Sequence, residues 1–291
     1  MENNPLLQSI NAALAANATL GLIYDAIYTK DDPGCIVTAA YRNALRAITA
    51  GLQETNKKMA VTEAMHELRN SLRSSVTDVL TTAQIAGIEN AITQLKYYKI
   101  TAPGPVAPAA SFVNTLSVQL NTAVAAIVSN IESQAATVSA ILAAELDTEL
   151  IIGTSTSAGI VKPGGIGAGI IFWAGSLFAD AFGSHIAGHG QGYGFQKQAV
   201  AALDQKTTDC CLRVHGQIQP LNREFVLTGH PRFADKLDWS PFHWNCRTSI
   251  ALYLPQYDNG YTTQMQTSAQ TILDEHAAGI YTDRGPSSAF I

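Results

Sequence analysis

Apolar residues recur at helical spacing along most of this chain. LLQSINAALAANATLGLIYDAIY (6–28) follows Asn4-Pro5, an N-cap and first helical position in sequence terms. Asp31-Asp32-Pro33-Gly34 marks a turn. Further helices are expected over about 37–54, 61–80 and 82–98. Arg42/Arg46 and Arg69/Arg73 stand at i, i+4 and read as solvated faces. The first hundred residues thus read as a helical N-terminal region. A Pro-rich connector at 101–110 cannot continue a helix.

The next segment, 111–150, is the most periodic. Val113, Leu120, Ile127 and Ile141 fall on a seven-residue repeat that Gln134 interrupts, and Leu116, Val124, Ile131 and Val138 fill the second seam. This spacing predicts a long helix, about 60 Å if unbroken. Its flanks are Ser, Thr, Asn and Ala, which points to burial in an assembly. Residues 151–195 are apolar and rich in glycine. The uncharged run from Pro163 to Ala179 is 17 residues long, short for a membrane span, and reads better as a buried helix with close backbone packing. Gly188–Gly194 lacks the strand–loop–helix setting of a phosphate site and reads as a connector.

Charge sharpens the picture. Charged residues make up only 14% of the chain, and between Ile100 and Gln196 Lys162 is the one basic residue. So bare a stretch predicts self-association or cover by a partner. A net charge of −5 does not indicate DNA contact. The N-terminus, MENNPLLQSI, lacks the basic start of a secretory leader. Four cysteines in 291 residues do not make a disulfide framework.

Three of those cysteines, Cys210, Cys211 and Cys246, fall in the region that carries chemistry. A short strand is expected over 198–203. Asp204 would then cap a helix starting near Thr207 and ending at His215, with Gly216 in the left-handed position after it. On that helix Cys211 and His215 share a face. His243 and Cys246 sit in a tight turn that also holds Asn245 and Arg247. Two thiolates and two imidazoles, Cys211, His215, His243 and Cys246, match the donors of a closed tetrahedral zinc site. The same residues could instead form an ordinary core knot, or a disulfide from Cys210 or Cys211 to Cys246. A Cys–His nucleophile would also need a base held against it and an oxyanion site.

Three blocks in order give the region its likeness. D-x-x-T at 204–207, C-x-x-x-H-G at 211–216 and P-F-H-x-N-C-R at 241–247 resemble the signature of the Mu F-like minor head (head morphogenesis) proteins of tailed phages. The likeness covers about 196–254. Family members often carry a cysteine three residues before the first-block one, where this chain has Thr208. The resemblance implies a virion protein of the head interior or portal vertex. It would attach to the portal protein or major capsid protein and serve head assembly, genome packaging or ejection.

The fold expected is mainly α, with long helices in the N-terminal two-thirds. A small α+β domain follows at 196–255, then a C-terminal helix and tail at 256–291. Asp204, Thr207, Gly216, Asn245 and Arg247 form the expected clamp, with Arg247 reaching Asp204, and one structural zinc is the candidate cofactor. The rival readings are a virion-carried nuclease or toxin-like enzyme, and an ejected protein that meets a membrane through 163–179.

Overall fold

A computed structural model describes residues 4–28, 57–104, 163–204, 207–231, 234–243 and 245–280, with positions 35, 36, 39 and 43. The expected helix at 111–150 and its seam (Val113, Leu120, Val124, Ile127, Ile131, Val138) lie outside these residues, as does most of the helix expected at 37–54.

The mainly helical character holds. Helix α1 runs Pro5–Ile27. Asn4 caps it as expected, its Oδ1 accepting the N–H groups of Leu6 at 2.9 Å and Leu7 at 3.2 Å. The two helices expected over 61–80 and 82–98 are one: α2 spans Lys57–Tyr97, 41 residues. Thr81-Thr82 was too weak a signal to end it, since β-branched residues lower helix propensity only slightly and no proline intervenes. Helix α3, Pro163–His189, takes in the glycine-rich run.

Six further elements follow: β1 (Gln196–Ala201), α4 (Asp209–Val214), β2 (Ile218–Pro220), β3 (Phe225–Val226), β4 (Lys236–Leu237) and β5 (Thr248–Tyr253). A 3-10 turn at Pro255–Tyr257 leads to the last helix, α5 (Tyr261–Ala277). The strand thus starts two residues earlier than expected, and α4 starts at 209 rather than near 207.

The main sheet has the order β2-β1-β5, and both pairings are antiparallel. β3 and β4 form a separate two-stranded ladder. Every residue of β5 is buried, so the sheet is covered on both faces. Alternation along the strands sorts the cores. Ala199, Ala201, Ile250 and Leu252 pack with Ala91 and Leu95 of α2 and Phe182 and Ile186 of α3. Val200, Ala251 and Tyr253 pack with Leu6, Ile10 and Ala13 of α1 and Met265 of α5. The open edge of β5 is closed by side chains. Gln94 donates to the Ile250 carbonyl and accepts the Leu252 N–H, and the Tyr98 hydroxyl donates to the Leu252 carbonyl.

One compact unit joins Met1–Tyr24, Thr82–Val106 and Ile171–Ile291; the other joins Asp25–Thr81 and Ala107–Ile170. A three-stranded sheet with two apolar faces needs cover on both, and α1, the end of α2 and α3 supply it.

Close backbone approach, expected for the glycine-rich segment, is present. A Cβ on Gly175 would come within 2.5 Å of the Tyr24 hydroxyl and 3.2 Å of the Pro241 ring. One on Gly183 would meet the Trp239 ring at 3.0 Å. α1 and α3 each carry a stretch long and apolar enough to cross a membrane, yet half of each such stretch is buried inside the protein.

Candidate metal centre and clamp

Two segments build the site: the turn and helix at 204–216 and the loop at 238–247. In the first, the Thr207 N–H donates to the Asp204 carbonyl at 3.1 Å, and the Thr207 hydroxyl donates to the Ala202 carbonyl and lies 3.2 Å from Asp204 Oδ1. Gly216 takes the left-handed conformation expected, with φ of +77°. A side chain there would also run into Gln266 and Met265 of α5. In the second segment Phe242 is fully buried and meets Phe225 edge-on, with centroids 5.7 Å apart, which anchors the neighbouring His243. Asn245, exposed at φ +57°, turns the backbone so that Cys246 points inward. The Tyr24 hydroxyl donates to the Cys246 carbonyl at 3.3 Å.

The two segments are joined by an ion pair. Arg247 reaches Asp204 as expected, through two parallel N–H···O contacts of 2.5 Å each. The Asp204 side chain is 9% exposed and that of Arg247 21%. A bidentate guanidinium–carboxylate pair fixes both distance and plane.

Beside this pair lies the Cys/His cluster. Cys211 Sγ stands 3.0 Å from His243 Nε2 and 3.7 Å from Cys246 Sγ. The Thr208 hydroxyl is 2.9 Å from His243 Nε2 and 3.2 Å from Cys210 Sγ. Thr208 holds the N-cap position of α4 but makes no side-chain cap bond, because its oxygen is engaged with the cluster. The ligand atoms of Cys210, Cys211 and His243 all lie within 4.8 Å of one another, a group able to hold a metal ion.

The group that the structure brings together differs from the expected ligand set in two places. His215 is buried, but its Nδ1 accepts the Ala201 N–H at 2.9 Å, so it secures the end of β1. Cys210, in the first turn of α4, joins the group instead. Cys210 was expected only as a possible disulfide partner of Cys246; the usable signal for a ligand was its position two residues after Thr208, where the resemblance expects a thiol.

No family model, curated protein or solved structure matches the chain.

The thiols do not share one state. The hydrogen bond from Cys211 pulls Cys210 down to about 5 against the opposing effect of burial, and Thr208 and His243 assist. Burial pushes Cys246 up, but the Cys211 hydrogen bond and His243 outweigh it and leave it at about 6. Cys211 is pushed up, because it is the donor to both neighbours and is itself buried. A cation bound among these sulfurs would take the place of the shared proton. Tetrahedral ligands at 2.0–2.3 Å from zinc stand about 3.3–3.8 Å from each other. The Cys211–Cys246 separation already matches that edge.

Lys197 carried no signal in the sequence pattern. It sits in the central strand with its side chain fully buried. Its amine donates to the Asp238 carbonyl, lies 3.8 Å from the Asp238 carboxylate, and rests 4.4 Å from the Trp239 ring and 5.2 Å from the Phe225 ring. Burial lowers its pKa, with Asp238 and Glu224 opposing. Lys197 therefore ties the 238–247 loop to β1, alongside the cluster.

Proposed function

We propose that this chain is a structural minor head protein of a tailed bacteriophage, attached to the portal protein or the inner capsid. The observation that carries the reading is the meeting of the three resemblance blocks. Asp204 of the first block binds Arg247 of the last, and Cys211 of the second lies against His243 and Cys246 of the third. Residues about 40 positions apart in sequence act as one clamp. Cys210, Cys211, His243 and Cys246 are all nearly fully buried, which suits a structural role better than contact with a substrate. The nearly uncharged stretch 100–196 supports burial in an assembly.

Within this reading, Cys210, Cys211, His243 and Cys246 hold one zinc ion in a closed, structural site. Elemental analysis of the purified chain is expected to find about one zinc per molecule. Cys211→Ser should lose it, while His215→Gln should keep it, because His215 serves the backbone. Equal zinc content in the wild-type chain and Cys211→Ser would count against the site.

The assembly role has its own test. Expressed alone, the chain is expected to self-associate; coexpressed with its portal protein, it should become soluble and co-purify at a fixed ratio. Ile127→Asp with Ile131→Asp should abolish that association, since each substitution places an unpaired charge in the apolar seam. A soluble monomer, indifferent to the portal and absent from purified particles, would contradict the proposal.

A further inference from the structure

We propose that the clamp is also a redox lock, in which Cys211 and Cys246 close a disulfide when the protein meets a peroxide. The inference goes beyond the structural reading and rests on the placement of the two sulfurs, whether or not a metal is held. Their Sγ atoms, one from each clamp segment, are 3.7 Å apart. Both residues are only 1% exposed. Oxidant must reach them by local opening of the loop, and an oxidised sulfur here then already faces a partner thiol. Cys210 and Cys211 are neighbours within α4, a backbone that holds adjacent side chains about 100° apart around the helix and opposes their pairing.

The chemistry balances with hydrogen peroxide as the oxidant. The Cys246 sulfur takes one oxygen as the O–O bond breaks. The other oxygen leaves as water, and the sulfur becomes a sulfenic acid. The Cys211 sulfur then attacks it. The S–S bond forms, the S–O bond breaks, and a second water leaves with the Cys211 proton. Two thiols and one peroxide give one disulfide and two waters. A metal held by these sulfurs is released in the same event. The bond joins the 204–216 segment to the 238–247 loop covalently and would take over their fixation outside the reducing cytoplasm.

Peptide mapping tests this on the full chain. The protein is treated with hydrogen peroxide, its remaining thiols are alkylated, and it is digested with trypsin without reductant. Cleavage after Lys206, Arg213, Lys236 and Arg247 places Cys210 and Cys211 in peptide 207–213 and Cys246 in peptide 237–247. The expected product is a cross-link of these two peptides, with fragmentation placing the bond at Cys211. Dithiothreitol should reverse it, and Cys210→Ser should retain it. A bond within 207–213, a bond from Cys210 to Cys246, or two unlinked alkylated peptides would each overturn the proposal. Fragmentation of the wild-type product decides the case even if the variant fails to fold. Zinc content, measured separately, shows whether the metal reading fails on its own.

Discussion

Replacing Arg247 with alanine is expected to destabilise the folded unit by about 3 kcal/mol, the lower end of the range for breaking a buried ion pair. The low end applies because the guanidinium keeps 21% exposure and some contact with water. The loss arises on the other side of the pair. Asp204 is 9% exposed and would keep a charge facing the site its partner has left. Arg247→Lys should recover only part of the loss, since a single ammonium cannot satisfy both carboxylate oxygens in one plane. Combining Asp204→Asn with Arg247→Met should cost less than Arg247→Ala alone, because no charge is then stranded. Arg223→Ala, at an exposed turn, should stay within about 0.5 kcal/mol of the parent. Urea unfolding of the four variants distinguishes these cases. Indistinguishable midpoints for Arg247→Ala and Arg223→Ala would show that the pair does not hold the blocks together.

A comparable loss is expected from one methyl group at Gly87. A Cβ there would lie 2.2 Å from the Phe178 carbonyl oxygen and 3.1 Å from its Cα. The obstacle is the backbone of α3, which cannot swing aside as a side chain can. Helices α2 and α3 must move apart, and with them Ala91, Leu95, Phe182 and Ile186, which share one core. Overpacking of this kind costs about 1–3 kcal/mol, and a backbone clash belongs at the upper end. Gly21 in α1 provides the contrast, since a Cβ there meets nothing within 4 Å. Gly21→Ala should raise stability by about 0.5–1 kcal/mol through helix propensity alone. Melting temperatures moving in opposite directions for the two variants are the expected result; a shared direction would refute the packing argument.

Local rules were the legible part of this sequence. Asn4-Pro5 announced the start of α1 because capping depends on adjacent residues. Gly216 announced the end of α4 because the left-handed conformation after a helix favours a residue without Cβ. The Asp204–Arg247 pair was legible because the blocks could be placed together before their geometry was known. What failed was set by distant contacts. Nothing near residue 196 says that α1 covers one face of the sheet, or that Gln94 closes its edge. His215 looked like a ligand by spacing, but the unpaired N–H of Ala201 at the end of β1 claimed its ring. Lys197 fell just before the strand expected at 198–203 and carried no signal of its own; the aromatic rings that enclose it come from residues 225 and 239.

The placement of α1 has a consequence for how the protein is made. This helix is synthesised long before its partners Val200, Ala251, Tyr253 and Met265, and Asp25 is its lone charged residue. Its polar ties, from Asn17 to the Val200 carbonyl and from Asn4 to the Tyr257 carbonyl, wait equally long. At roughly 5–20 residues per second, the interval is on the order of 10–50 s. Throughout it the face of the helix that packs on β1, β5 and α5 has no native surface to close on. Translation stalled before β5 leaves that apolar face unshielded, the kind of segment that chaperones hold and that neighbouring nascent chains capture. Synthesis of β5 and α5 and concealment of this face of α1 are therefore a single event for this fold.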